Sequence, residues 1–165
     1  MVINVVGCGA TANEFKGDWE TVICVNDAPI VCCAAVVCVD RPERFSIIRR
    51  NKIRGHIAKD FFSQFTEWAA ETIKIELKAI HAHNNRWNEF IPSSNNSPFV
   101  ACGVAYKYFN ATEIRLWGVD MLDHPHLNGA MREQSVKDFQ LLQKILNEKG
   151  CRIIPHEKSY LFGKI

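Results

Sequence analysis

The chain has 165 residues, of which 47% are hydrophobic and 23% charged, and it contains only nine Gly and six Pro. This composition is typical of one folded globular domain and excludes collagen-like and low-complexity chains. Twenty Lys and Arg against eighteen Asp and Glu leave a net charge of +2, which is too small to predict binding to nucleic acid.

We expect a single cytoplasmic domain over residues 1–165, without membrane insertion. The longest apolar run, residues 28–39, is shorter than the ~20 residues that span a bilayer. The first residues lack the basic segment and the small-residue cleavage site of a signal peptide. The seven cysteines are odd in number and contain no Cys-x-x-Cys pair, so we expect reduced, mostly buried thiols rather than disulfides or a zinc cage.

Five short apolar runs predict β-strands, and a polar or glycine-bearing turn follows each of them. They cover residues 3–6, 21–25, 35–39, 113–117 and 151–154. Because the apolar residues are mostly continuous rather than alternating, the pattern predicts strands that are covered on both faces.

Three segments have helical patterns: residues 42–50, 97–108 and 134–149. Ser97 is the predicted cap of the second helix, with Pro98 at its first position, and Gly150 closes the third. The middle of the chain is less regular, and we expect one or two helices around residues 61–70 and a strand near 72–80. Strands that alternate with helices predict an α/β fold, namely a single Rossmann-like, doubly wound, mostly parallel sheet with helices on both faces.

Polar residues, and in one case glycines as well, follow four of the predicted strands. In open parallel sheets, ligands bind beyond the carboxyl ends of the strands, near the point where the strand order reverses. Each polar residue alone is typical of a turn or a helix cap, but together they predict a binding site at one end of the sheet. The residues are Gly7, Gly9, Thr11, Asn26, Asp27, Asp40 and Asp120.

The Gly7-Cys8-Gly9 turn directly after the first strand predicts a phosphate contact through backbone N–H groups. We expect positive φ at Gly9, and we expect a bulky residue there to block the ligand at little cost to the core. Ala12 replaces the third glycine of the dinucleotide fingerprint, no Walker lysine follows, and Asn26-Asp27 stands where an acidic residue would end the second strand. The loop therefore favours a nucleotide or phosphate over a conventional dinucleotide.

The ordered motifs resemble those of the bacterial lipooligosaccharide sialyltransferases. Residues 3–11 are similar to the first strand and G-x-G-x-[ST] loop of that family, and residues 25–27 to its asparagine-bearing second strand end. Residues 97–105 and 113–121 are similar to its serine-started helix and the G-[IV]-D strand that follows. A similar pattern occurs in the motility accessory factor and pterin pyrophosphokinase-like superfamily, including small phage-encoded members.

The resemblance implies a glycosyltransferase-like protein of phage or prophage type that needs no cofactor. Its ligand would be a small-molecule nucleotide or nucleotide sugar, with the cytidine type favoured. Cys8 stands where the family has an asparagine, Pro98 where it has a glycine, and Ala130 near its catalytic histidine. By position, the resemblance assigns ligand binding to Gly7, Gly9, Thr11, Asn26 and Ser97.

Transfer to an acceptor hydroxyl needs a base whose pKa lies near the working pH, and histidine meets that requirement unperturbed. His124 and His126 follow Asp120 on the loop that leaves the fourth predicted strand. We expect His126, ahead of His124, to be the base, with Asp120 orienting an imidazole or holding a ligand hydroxyl. The pairs His81/His83 and His124/His126 have a spacing that suits one metal ion on a strand, but surface histidines are common and no metal site is predicted.

Two other functions stay open at this point. One is a non-catalytic nucleotide-binding protein that sequesters or senses its ligand. The other is a pyrophosphokinase-like transferase, for which the resemblance implies ATP and a divalent metal. The sequence also leaves open whether the chain forms a homo-oligomer.

Overall fold

A computed structural model describes residues 1–30, 32–40, 44–48, 58–63, 79–80, 96–122 and 128–165. Within these ranges, seven strands form one sheet in the order β5-β4-β3-β2-β1-β6-β7, and every pair of neighbours is parallel. The predicted α/β class and parallel sheet are therefore confirmed. The strands are β1 (Val2–Val6), β2 (Val22–Val25), β3 (Cys33–Cys38), β4 (Ala58–Ser63), β5 (Ala79–Ile80), β6 (Glu113–Trp117) and β7 (Arg152–Pro155).

The order of the strands reverses at β1. From β1 the chain builds outward through β2 to β5 on one side, and then returns to add β6 and β7 on the other side. The turns that leave β1 and β6 are therefore neighbours at the carboxyl end of the sheet. In parallel sheets this reversal is where ligands bind, because two connections that start side by side lead away from each other.

Two α-helices are described, α1 (Ser97–Phe109) and α2 (Gly129–Glu148). Asn96 caps α1, since its side chain accepts a hydrogen bond from the Phe99 N–H at 3.3 Å; the prediction that Ser97 is the cap is wrong by one residue. Asn128 caps α2 in the same way through Met131, so this helix begins before the predicted residue 134. Within the described ranges, no helix is both long enough and apolar enough to cross a membrane.

Both α-helices pack on the same face of the sheet. Helix α1 lies across β1, β2, β3 and β6, and α2 packs against α1 and β7. Ala101 and Ala105 of α1 are completely buried, which lets the helix backbone approach the strands closely, and the rings of Phe99 and Phe139 meet edge to face at 6.0 Å. This face holds the larger part of the described core.

The opposite face is covered differently in the described part of the chain. Its core includes Val6, Cys24 and Val36, on which lie Ala12 and Phe45. Ala12 belongs to a short 3₁₀ helix, Ala10–Glu14, and a second one, Trp19–Thr21, precedes β2. Both faces are thus buried, as the continuous apolar runs predict, and within these ranges the second face has a 3₁₀ helix in place of an α-helix.

The middle of the chain departs from the predicted helix. Strand β4 includes residues 61–63, so the helix predicted around 61–70 is wrong there, and residues 64–70 lie outside the described ranges. A short apolar run suits either a helix or a strand, and here parallel pairing with β3 decides for the strand. Strand β5 agrees with the end of the strand predicted near 72–80. Of the helix predicted at 42–50, Ile47 and Ile48 are helical, and residues 42, 43, 49 and 50 are not described.

All seven cysteines lie in the described ranges, and none of them forms a disulfide. Five of them are buried, and Cys8 and Cys32 are exposed. Burial raises the pKa of Cys151 to about 11, and it raises the pKa of Cys102 well above the usual range of a thiol. Because the thiolate is the reactive form, the buried cysteines are inert in the folded protein.

Thiol reactivity tests this core. We expect two thiols of the native protein to react quickly with a chromogenic disulfide reagent, and all seven to react after unfolding in guanidinium. The double variant Cys8→Ser, Cys32→Ser should show no fast reaction. A third fast thiol in the parent, or a fast thiol that survives in the double variant, would contradict the burial pattern.

Candidate functional site

The loop after β1 is bonded to the end of β6. The Gly7 N–H donates to the carbonyl oxygen of Trp117 at 2.7 Å, and the Gly9 N–H donates to that of Gly118 at 2.8 Å. These are two of the amides that the sequence assigns to phosphate. In the structure these two hydrogen bonds continue the pairing of β1 with β6 beyond the end of β1.

A buried cluster of side-chain and backbone groups closes the same loop. The Asp120 carboxylate accepts the Thr11 N–H at 3.0 Å and also accepts the Thr11 hydroxyl. The Thr11 oxygen in turn accepts the Gly118 N–H at 2.7 Å. We call Thr11, Gly118 and Asp120 the loop clamp. Thr11 is 3% exposed and Asp120 is 8% exposed, and the two hydrogen bonds from Thr11 compensate for the burial of the carboxylate.

The glycines of the two loops are explained by this contact. A Cβ atom on Gly7 would lie 2.5 Å from the Gly118 oxygen, and one on Gly9 would lie 2.5 Å from Asp120 Oδ2. Gly9 has a φ of −72°, so the prediction of positive φ at Gly9 is wrong. The prediction that a bulky residue at Gly9 costs the core little is also wrong, because the side chain would collide with the loop clamp.

Asn26 has the most unusual environment at the carboxyl end of the sheet. Its φ is +53°, in the left-handed region, which asparagine tolerates better than most residues. Its N–H donates to the Val37 oxygen at 3.1 Å, which fixes it between β2 and β3. Its side-chain Oδ1 is buried and has no hydrogen-bond partner among the residues that the structure describes. The Cys8 thiol donates to the Val25 oxygen at 3.6 Å, so the loop after β1 borders this position.

The other predicted binding residues lie at the ends of β2 and β3. Asp27 accepts the Ser46 hydroxyl at 2.5 Å, and Asp40 is half-buried directly after β3. Ser97 is buried, and its Oγ accepts the Val39 N–H at 3.4 Å. Ser97 therefore links α1 to Val39, the residue that follows β3. The Asn26 N–H bonds to Val37 of β3, two residues earlier. Ser97 and Asn26 thus lie at the same end of the sheet.

A histidine that the sequence did not single out lies beyond the end of β7. The His156 Nε2 is 3.4 Å from Glu14 Oε2, and the Lys158 Nζ is 2.7 Å from Glu14 Oε1. The Lys158 ammonium holds the pKa of Glu14 below its usual value. The His156 Nδ1 accepts the Lys158 N–H at 3.2 Å, and the imidazole lies against the Trp117 ring. Since both ring nitrogens face protein groups, this cluster ties the end of the chain to the first 3₁₀ helix.

The predicted catalytic histidines, His124 and His126, lie outside the described residues, as do His81 and His83. Asp120, the third predicted catalytic residue, is described, and both of its carboxylate oxygens face Thr11. In the described part of the chain, no group of three or more His, Cys, Asp or Glu side chains is placed to hold a metal ion.

Comparison with known proteins gives no relative: no family model, no curated protein and no solved structure matches the chain. The resemblance to the sialyltransferases is therefore a prediction from the order of the motifs alone.

The loop clamp predicts a specific cost for losing the Thr11 hydroxyl. Thr11→Val keeps the side-chain shape but leaves the Gly118 N–H and one oxygen of Asp120 without a partner. We expect a loss of about 2–4 kcal/mol in the free energy of unfolding, measured in urea, since each unsatisfied buried group costs about 1–3 kcal/mol.

Thr11→Ser is the matched control, because it keeps the hydroxyl and removes one methyl group, at a cost of about 1 kcal/mol. Equal stabilities of the Val and Ser variants would show that the hydroxyl contributes nothing to the clamp.

Proposed function

We propose that the protein is a Rossmann-like, glycosyltransferase-like protein that binds a nucleotide or nucleotide sugar at the carboxyl end of its sheet. The observation that carries the proposal is Asn26, whose buried Oδ1 has no partner in the described structure. An unpaired buried acceptor costs about 1–3 kcal/mol, and a ligand donor at this position would remove that cost. The reversal of strand order at the neighbouring β1 supports the same location.

The loop clamp limits which groups contact the ligand. The amides of Gly7, Gly9 and Thr11 donate to the protein's own oxygens, so the ligand lies beside this loop, with its nucleoside toward β2. There the side-chain amide of Asn26 offers an acceptor that suits an amino group or a hydroxyl. Cytosine has an exocyclic amine and ribose has hydroxyls, and both fit the cytidine-type ligand that the motif order implies.

In the proposed reaction, an acceptor hydroxyl attacks the sugar of the nucleotide sugar and the nucleotide leaves. The proton of that hydroxyl passes to His126 or His124, the two histidines that follow β6 in the sequence. Asp120 keeps the role of fixing the loop after β1.

Binding without turnover is the second candidate function. It is favoured by the engagement of both Asp120 oxygens with Thr11, because a carboxylate used in this way does not orient an imidazole or hold a ligand hydroxyl, the role expected of it in a transferase. The two candidates differ in whether the nucleotide sugar is consumed or merely retained.

The binding prediction is tested with Asn26→Gly. Glycine adopts positive φ without strain, so this change removes the side-chain amide and keeps the backbone. We expect calorimetric titration with cytidine and uridine nucleotides to show about a 2- to 12-fold loss of affinity, the equivalent of one neutral hydrogen bond of about 0.5–1.5 kcal/mol.

Asn110→Gly is the matched control. Asn110 also has positive φ, 51°, but it ends α1 just before β6 begins, at the opposite end of the sheet. Its variant should bind like the parent. Equal losses in both variants, or none in Asn26→Gly, would exclude the Asn26 contact, and a parent that binds no nucleotide would exclude the proposed function.

Release of free nucleotide from a cytidine nucleotide sugar distinguishes the two candidates. A transferase releases it, and the double variant His124→Ala, His126→Ala should abolish the release. A parent that binds the nucleotide sugar tightly and leaves it intact is a binding protein.

A further inference from the structure

Arg132 is held at the carboxyl end of β6, although it belongs to the first turn of α2. Its backbone N–H donates to the Asn128 oxygen at 3.0 Å, as expected near the start of a helix. Its Nη2 donates to the carbonyl oxygen of Leu122 at 2.7 Å, two residues beyond the aspartate of the loop clamp. The guanidinium is therefore fixed beside the turn where strand order reverses.

The Arg132 guanidinium packs on the face of the Tyr160 ring. The Arg132 Cζ lies 5.2 Å from the centre of the Tyr160 ring, a distance at which a cation and an aromatic face attract each other. The Tyr160 N–H donates to the backbone carbonyl oxygen of Asp120 at 2.8 Å, and the Tyr160 hydroxyl donates to Glu133 Oε1 at 2.5 Å. The ring is thus anchored both to the loop clamp and to α2.

The Arg132 guanidinium has no ion-pair partner among the described residues, and the neighbouring Glu133 carboxylate instead accepts the Tyr160 hydroxyl. The Arg132 Nε is buried and has no acceptor among the described residues. The first turn of α2 contains no acidic residue, although the start of a helix is positive and disfavours a cation. A buried donor of a charged group that lacks an acceptor destabilises a protein more than a neutral donor does. An anion bound at this position would remove that destabilisation.

The two unpaired polar atoms lie at the same end of the sheet. In the part of the chain that the structure describes, the buried side-chain nitrogen and oxygen atoms without a partner are Asn26 Oδ1 and Arg132 Nε. Asn26 follows β2, and Arg132 is bonded to the turn after β6, so they lie on either side of the loop clamp. A ligand with an uncharged base or sugar at Asn26 and a phosphate at Arg132 has the two parts of a nucleotide.

We propose that Arg132 binds the phosphate of the ligand, an inference that rests on the proposed nucleotide-binding function. A guanidinium presents parallel N–H donors that match two phosphate oxygens. Among the described residues, the Arg132 side chain donates one hydrogen bond, to Leu122, which orients the group. Nε is buried in this conformation, and a rotation of the guanidinium exposes it to the ligand.

The test compares cytidine monophosphate with cytidine, which differ only in the phosphate. We expect the parent to bind the monophosphate at least tenfold more tightly than the nucleoside. Arg132→Gln should weaken binding of the monophosphate at least fivefold and leave binding of cytidine unchanged. Arg132→Lys keeps the charge without the parallel donors, and we expect an intermediate affinity; it also serves if the Gln variant does not fold.

Lys164→Gln is the matched control, because the Lys164 ammonium lies 3.5 Å from the centre of the same Tyr160 ring. We expect it to bind both ligands like the parent. A parental ratio of the two affinities in both Arg132 variants would overturn the proposal, and so would an equal loss for cytidine and its monophosphate.

Titration with inorganic phosphate and pyrophosphate separates this proposal from the proposed function. If the parent binds no nucleoside or nucleotide but binds pyrophosphate through Arg132, the nucleotide function fails and the anion site stands. If the parent binds cytidine monophosphate and the Arg132 variants bind it equally well, the anion site fails and the nucleotide function stands. If the parent binds none of these molecules, both fail.

Discussion

The carboxylate of Asp120 accepts two hydrogen bonds from Thr11, and this contact fixes the turn after β1 to the turn after β6. The Gly118 N–H completes the cluster through the Thr11 oxygen, and the Tyr160 N–H adds a bond to the Asp120 backbone. The glycines of both turns are needed because a Cβ atom on any of them would occupy the space of the neighbouring loop. The loop clamp thus sets the shape of the sheet's carboxyl end where its strand order reverses.

The same contact determines where a ligand could find partners. A glycine-rich turn after the first strand suggests free amides for a phosphate, but here Gly7 and Gly9 donate to β6 and its turn. Among the described residues, the buried side-chain atoms left without partners lie beside the clamp: Asn26 Oδ1 after β2, and Arg132 Nε near the turn after β6. Our proposals place the nucleoside on the first and the phosphate on the second. An unpaired buried polar atom destabilises a protein, and in our proposals the bound ligand removes that cost.

Much of the fold follows from local sequence patterns. The continuous apolar runs identify β1, β2, β3, β6 and β7 because such strands need cover on both faces. The cap and glycine signals place both ends of α1 and the end of α2 to within one residue, whereas α2 begins five residues before its predicted start. Asn96 and Ser97 are both good caps, so local preference alone does not choose between them. Residues 61–63 form a strand because they pair with β3, a contact that the local pattern does not contain, and the helix predicted there is therefore wrong.

The site is predictable only in part, for a related reason. Polar residues after parallel strands meet at one end of the sheet whatever their function, so the location near Asn26 follows from the sequence. Whether Thr11 and Asp120 face a ligand or each other depends on the register of β1 against β6. The contacts of Arg132 and His156 join residues from distant parts of the chain and leave no local signal.

The most direct measurement is a titration of the ¹⁵N-labelled protein with cytidine monophosphate, followed by NMR. We predict that the largest amide shift changes fall in the turns after β1, β2 and β6 and at the start of α2, with little change at Asn110 or Gly150. Changes confined to the opposite end of the sheet would contradict the account.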